Sequence, residues 1–172
     1  MLPPGPPAPF LWNRPGPLGA LLSALVPLLA VVVENALIFA GGLATQDPAF
    51  DAVAFAPPGW VVGVVWCVIY PLWGLARWRS HLAGEGGRRA AWWVVTLMGW
   101  GLAYPIVTGG FQVVPSAIGN AISLLLVLVA AWRVGSHSKT AAALLVPSIA
   151  WITFANVLGM VALTRLPTAG SP

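Results

Sequence analysis

The chain has 172 residues, of which 59% are hydrophobic and only 7% charged, and its mean hydropathy is +0.87. So little polar surface cannot cover a water-soluble globule, so the chain takes lipid as its solvent and has no room for a second, soluble domain. The net charge of +4 comes from eight cationic residues that sit almost entirely in short links between apolar runs. That pattern describes topology and not a nucleic-acid partner.

In chain order, residues 1–17 are rich in proline, which fixes φ and removes donors, so this segment reads as extended. The apolar run at about 18–43 is far longer than the roughly 7–15 residues of a signal-peptide core and is taken as the first span. A turn with Asp47-Pro48 follows. The second span is expected at about 57–78, opening on Pro57-Pro58, where missing N–H groups cost nothing. A Gly- and Arg-rich link over 79–89 leads to a third span at about 90–110, closed by Gly109-Gly110. The fourth is expected at about 116–134 and the fifth at about 141–163, with a short tail at 166–172. At about 20 residues per crossing this predicts one domain (18–165), an all-α membrane bundle of five transmembrane helices.

Lys and Arg in short loops stay on the cytoplasmic side. With a cytoplasmic N-terminus that side holds Arg14, Arg77, Arg79, Arg88, Arg89, Arg133 and Lys139, against Arg165 alone on the other. The bias orients the bundle and favours an odd number of spans. The single cysteine, Cys67, lies within a span and reads as packing.

Ten tryptophans are present. Trp12, Trp60, Trp78, Trp92, Trp93 and Trp132 fall near predicted helix ends, where indole rings anchor at the headgroups. Trp66, Trp73, Trp100 and Trp151 lie deeper, where each indole N–H needs a partner in the protein or in a ligand. On the second span Trp66, Tyr70, Trp73 and Arg77 form one helical stripe. The stripe either packs against other helices or stacks a flat aromatic ligand and pairs its acid group with Arg77. Pro147, Trp151, Phe154, Ala155 and Leu158 make a second such face, with Ser148 and Asn156 nearby.

Glu34 and Asn35 stand inside the first span, and an ionisable group at that depth is a candidate polar site. His81 and His137 lie in links without ligand spacing, and no metal site is expected. No nucleophile–base pair or phosphate loop is present, so enzymatic chemistry has no visible seat. Pro27, Pro71, Pro105 and Pro147 each interrupt a span, which favours a cavity. Gly101, Pro105 and Gly109 offer a close approach on the third span, to a second subunit or within the chain.

Pro57-Pro58, Trp60, Gly63, Trp66, Tyr70 and Gly74, with Phe55 just ahead, resemble the second-helix signature of the TspO/MBR family. These are the tryptophan-rich sensory proteins and the mitochondrial translocator (peripheral benzodiazepine receptor) proteins. Pro147, Trp151, Phe154, Ala155 and Leu158 are similar to the family's fifth-helix segment. The chain departs from the pattern at Ala52-Val53, Thr96, Trp100, Ala103, Ser148 and Gly159, and has no Tyr before Arg165 for a cholesterol motif, as a divergent member would.

The resemblance implies a five-helix bundle, often a homodimer, that binds porphyrins and other tetrapyrroles, in some cases sterol-like or benzodiazepine-like molecules, between helices one, two and five. Trp66, Tyr70, Trp73, Trp151, Phe154 and Ala155 would then contact ligand, and Pro57, Pro58 and Trp60 would close the pocket. Porphyrin would be a ligand, with no cofactor of the protein's own, in sensing, sequestration or transport. Light- and oxygen-dependent porphyrin breakdown, reported for some members, would use Trp66 and Trp151, but the family's polar residues on helix three are missing. The alternatives are an assembly protein whose stripes only pack and a small-solute transporter using Glu34. The expected location is a multi-pass place in the cell membrane, bacterial by the Arg-over-Lys preference.

Overall fold

The computed structural model describes residues 10–42 and 47–166. Most of the Pro-rich segment (1–9), the turn at 43–46 and the tail from 167 lie outside the described residues. A 3-10 turn at Leu11–Asn13 leads into α1 (Pro17–Ala40), α2 (Pro48–Asp51), α3 (Gly59–His81), α4 (Gly84–Val107), α5 (Val113–Gly135), α6 (Lys139–Ala143) and α7 (Val146–Leu163). The described residues contain five helical segments long and apolar enough to cross a membrane: α1, α3, α4, α5 and the α6–α7 pair. A 24-residue helix such as α1 reaches about 36 Å, enough for the hydrocarbon core. The protein is an all-α, multi-pass membrane protein.

The element ends differ from expectation where local chemistry decides them. The second span starts at Gly59, because Pro57 precedes a proline and Pro58 is held extended at ψ 146° as the cap. The expected link over 79–89 is almost all helix, and only Leu82 and Ala83 separate α3 from α4. Glu85 lies in the first turn of α4, where the helix dipole favours an acid, and pairs with Arg89 one turn on. The Ser80 hydroxyl reaches back to the Gly87 carbonyl at 2.9 Å and ties the corner. α4 stops at Val107 because Gly109, Gly110 and Phe111 all have positive φ. The fifth span breaks at Leu144–Leu145, and Pro147 enters the first turn of α7, where its missing N–H is harmless.

α1 packs on α3, α3 on α4, α4 on α5 and α5 on α7, while α6 fills the corner between α5 and α3. The core is built around Trp73, Tyr70, Leu97, Leu145 and Ile152, with Ala76, Ala90, Ala130 and Ala141 letting backbones approach. In lipid such contacts act by van der Waals packing, which is why small residues lie between the helices. Gly74 is the tightest case, since a methyl group there would overlap the Ser23 carbonyl on α1. Leu21, Leu29, Leu37, Val64, Val68, Ile118 and Leu125 face outward, an apolar exterior suited to lipid.

The helix directions gather Arg14, Arg77, Arg79, Arg88, Arg89, Arg133 and Lys139 at one end of the bundle and leave Arg165 at the other. At the Arg165 end, α2 packs on α7 through a small cluster of Ala49, Phe50, Val53, Val113 and Ala162. Asp47 holds this corner. One carboxylate oxygen accepts from Ala49 N at 2.9 Å, capping α2, and the other accepts from Val113 N at 3.2 Å, at the start of α5.

Candidate functional site

Each long helix contributes a face to one cavity of about 470 Å³ in the half of the bundle nearer Arg165. α1 gives Val31, Glu34, Asn35, Ile38 and Phe39, a stripe repeating every three or four residues, and Gly42 adds to it just beyond the helix end. α3 gives Gly59, Val62, Gly63, Trp66, Tyr70 and Trp73 on the same rule, and Phe50, Ala56 and Pro57 roof the space. The cavity is wider than a pocket between helices one, two and five. α4 and α5 form its far wall through Leu97, Trp100, Gly101, Tyr104, Ser116, Asn120 and Ser123, and Phe111 reaches in from the turn between them.

Of the residues expected from sequence, Trp66, Tyr70, Trp73, Trp151, Phe154, Ala155, Pro57, Glu34 and Asn35 all line this cavity. Pro58 and Trp60 do not. Trp60 is 67% exposed, because it falls on the stripe of Val64 and Val68, which faces outward, about 100° round the helix from Gly59. Pro147 also stands outside, in a shallow groove where Pro147, Ala150, Trp151 and Phe154 of α7 face Val64, Val65, Val68 and Ile69 of α3.

The deep tryptophans divide into two kinds. Trp73 Nε1 donates to Ser148 Oγ at 2.9 Å and Trp100 Nε1 donates to Ser123 Oγ at 2.7 Å, so both are committed to helix–helix contacts. Among the described residues the indole N–H groups of Trp66 and Trp151 have no hydrogen-bond partner, and both rings face the cavity. Trp66 meets Tyr70 and Trp73 edge-on, with centroids 6.0 and 5.7 Å away, and Trp151 lies 5.5 Å from Phe154 at 32°. These offset and edge arrangements are the ones aromatic quadrupoles favour. Tyr70 is nearly closed off, its hydroxyl donating to the Met98 carbonyl at 3.2 Å, and Gly101 leaves the space that this hydroxyl occupies. Gly101 is therefore used within the chain, which is one of the two roles open to it from sequence.

Arg77 is not at the cavity. Its guanidinium donates to Asn13 Oδ1 at 2.8 Å, to the Trp12 carbonyl at 3.3 Å and to Ser23 Oγ at 2.9 Å, clamping the N-terminal turn onto α1 and α3. The sequence stripe overshoots because the bundle turns Arg77 toward α1, and an acid group of a ligand stacked on Trp66 does not meet it there. Trp78 is likewise no surface anchor. It is buried, and its N–H donates to the Arg14 carbonyl at 3.0 Å.

The polar far wall was not singled out from sequence. Tyr104 Oη donates to Asn120 Oδ1 at 2.8 Å, Asn120 Nδ2 to the Ala155 carbonyl at 3.2 Å, and Asn156 Nδ2 to the Asn120 carbonyl at 3.1 Å, joining α4, α5 and α7. Ser116, Asn120 and Ser123 repeat every three or four residues on an otherwise apolar helix, which is the signal that locates them. Asn35 Nδ2 reaches the Gly63 carbonyl at 3.4 Å, a clasp between α1 and α3. Glu34, beside it, is half-buried. Among the described residues no group of three or more His, Cys, Asp or Glu side chains is arranged to hold a metal ion.

The site is a mostly apolar, aromatic-walled space within a helical bundle, able to hold a flat hydrophobic molecule by stacking and to orient it through a few polar groups. The sequence is similar to the Tryptophan-rich protein TspO of Archaeoglobus fulgidus, with 25% identity over 142 residues, covering 80% of this chain and 91% of the relative. The model of the TspO/MBR family matches residues 24–164, a stretch that includes every residue lining the cavity. With that match over most of its length, the chain belongs to the TspO/MBR family.

Proposed function

We propose that this protein binds flat, aromatic, largely apolar molecules of the porphyrin or tetrapyrrole class in the cavity between its helices, and acts in sensing, sequestration or transport. The observation that carries the reading is the pair Trp66 and Trp151. They come from different helices, face one space, and keep indole N–H groups without partners among the described residues. A volume of about 470 Å³ suits a small organic ligand, for which pockets run about 300–1,000 Å³. By the retention of Lys and Arg, the cation-rich end is assigned to the cytoplasm and the cavity end to the opposite side of the cell membrane.

The test is a titration of detergent-purified protein with protoporphyrin IX, followed by tryptophan fluorescence. The natural chain should show saturable one-site quenching in the micromolar range, about −8 kcal/mol. The Trp66→Leu, Trp151→Leu variant, shown folded by circular dichroism, should lose it. Equal, non-saturating quenching in both proteins would mean partition into detergent and would leave the aromatic stripes with packing alone.

A further inference from the structure

We infer that the cavity fills sideways from the bilayer, between α3 and α7, and that Trp151 and Phe154 are the gate a flat apolar ligand passes. This rests on the cavity being the ligand site and adds to that reading the route of entry. Trp151 and Phe154 line both the cavity and the shallow outer groove, so the two spaces share these side chains as a wall. The groove measures about 450 Å³. Val64, Val68 and Ala150 on its walls are exposed on the apolar exterior, where lipid chains lie. Among the described residues no charged side chain lines it.

The backbones leave this seam loose. Among the described residues α3 packs closely on α1, α4 and α6 but not on α7. The Trp73–Ser148 bond ties the two helices at one level. Nearer Arg165 the seam is filled by rings: Trp151 lies 5.5 Å from Phe154, and Phe154 meets Phe55, in the link before α3, at 6.2 Å. The Trp151 N–H has no hydrogen-bond partner among the described residues, so a change of rotamer there gives up ring contacts but no hydrogen bond. The roof is held more firmly. Phe50, Ala56 and Pro57 cover the cavity, α2 packs on α7 through its apolar cluster, and Asp47 bonds both Ala49 N and Val113 N, so entry there has to undo hydrogen bonds as well as packing. An apolar ligand also starts beside the seam, because water drives it into the hydrocarbon. Val64 is only five residues, about 7.5 Å of helix, from Gly59, so a ring system at groove depth can keep acid groups on its rim near the headgroups.

The test is stopped-flow quenching of tryptophan fluorescence by protoporphyrin IX, with the protein in phosphatidylcholine nanodiscs and dissociation followed into excess albumin. Ala150→Phe narrows the groove at a residue outside the cavity lining. It should slow association and dissociation together, each by at least about fivefold, with Kd within about twofold of the natural chain, because a plug on the path raises the barrier and leaves the bound state alone. Val68→Phe, on the opposite wall, should do the same and carries the comparison if the first variant does not fold; a retained Kd shows folding. Leu125→Phe, on the lipid-facing side of α5, should change neither rate. Unchanged rates in the groove variants, or equal slowing in Leu125→Phe, overturn the inference and leave the cavity reading standing. A raised Kd with association unslowed overturns it too, by putting the groove residues in contact with bound ligand. If the natural chain shows no saturable quenching, the cavity reading fails and the gate with it.

Discussion

The indole N–H of Trp73 donates to the Ser148 hydroxyl at 2.9 Å, and that hydroxyl donates in turn to the Leu145 carbonyl at 2.7 Å. The pair joins the middle of α3 to the break between α6 and α7, and both residues are at most 1% exposed. Ser148→Ala leaves a buried indole donor without an acceptor and should cost about 1–3 kcal/mol. Adding Trp73→Phe removes the stranded donor. The double variant should therefore lose less than the sum of the two single losses in thermal unfolding in detergent. Strict additivity would mean that the bond adds nothing to the stability of the bundle.

The five spans were legible because each is a long apolar run, and in lipid the backbone can satisfy its hydrogen bonds only as helix. Stripe logic also found the cavity faces of α3 and α7, since side chains three or four residues apart must share a face. It could not say how far along a stripe the cavity runs. Arg77 continues the register of Trp66 and Tyr70 yet serves the N-terminal turn, a contact 64 residues away in sequence. Tyr104, Ser116, Asn120 and Ser123 escaped notice because each is a single polar residue among apolar neighbours. Their meaning lies in partners on other helices.

Asp47 read from sequence as a turn acid, but its two oxygens cap α2 and hold Val113 at the start of α5, so it fastens the roof of the cavity to the far wall. Asp47→Ala should cost about 1–2 kcal/mol, the range of a lost helix cap. Amide exchange should quicken at Ala49 and Val113 together, with little change at the Arg-rich end. Faster exchange at Ala49 alone would reduce Asp47 to a local cap.

Arg77→Gln separates the clamp from a ligand-pairing role. The clamp predicts faster amide exchange and earlier proteolysis around Leu11–Asn13, with the protoporphyrin titration midpoint unmoved, because Trp12, Asn13 and Ser23 take the guanidinium's donors. Lys at this position should restore order only in part, as an ammonium cannot reproduce the planar fork that reaches three acceptors. A large shift of the midpoint would return Arg77 to the ligand site.

Ser116 and Ser123 stand on the same face of α5 and should respond to alanine with opposite signs. The Ser123 hydroxyl accepts from Trp100 Nε1 and donates to the Gly119 carbonyl, both at 2.7 Å, so Ser123→Ala strands an indole donor and should cost about 1–3 kcal/mol. The Ser116 hydroxyl is buried with no hydrogen-bond partner among the described residues, although its residue is only 2% exposed. Removing it relieves an unpaid desolvation, and alanine is the better helix former. Ser116→Ala should therefore raise stability by up to about 1 kcal/mol in the ligand-free protein. Side-by-side thermal unfolding in detergent checks the pair. A loss of stability in Ser116→Ala would mean that the hydroxyl is satisfied in the membrane-embedded protein, and the far wall would then be polar by bound water and not by an open donor.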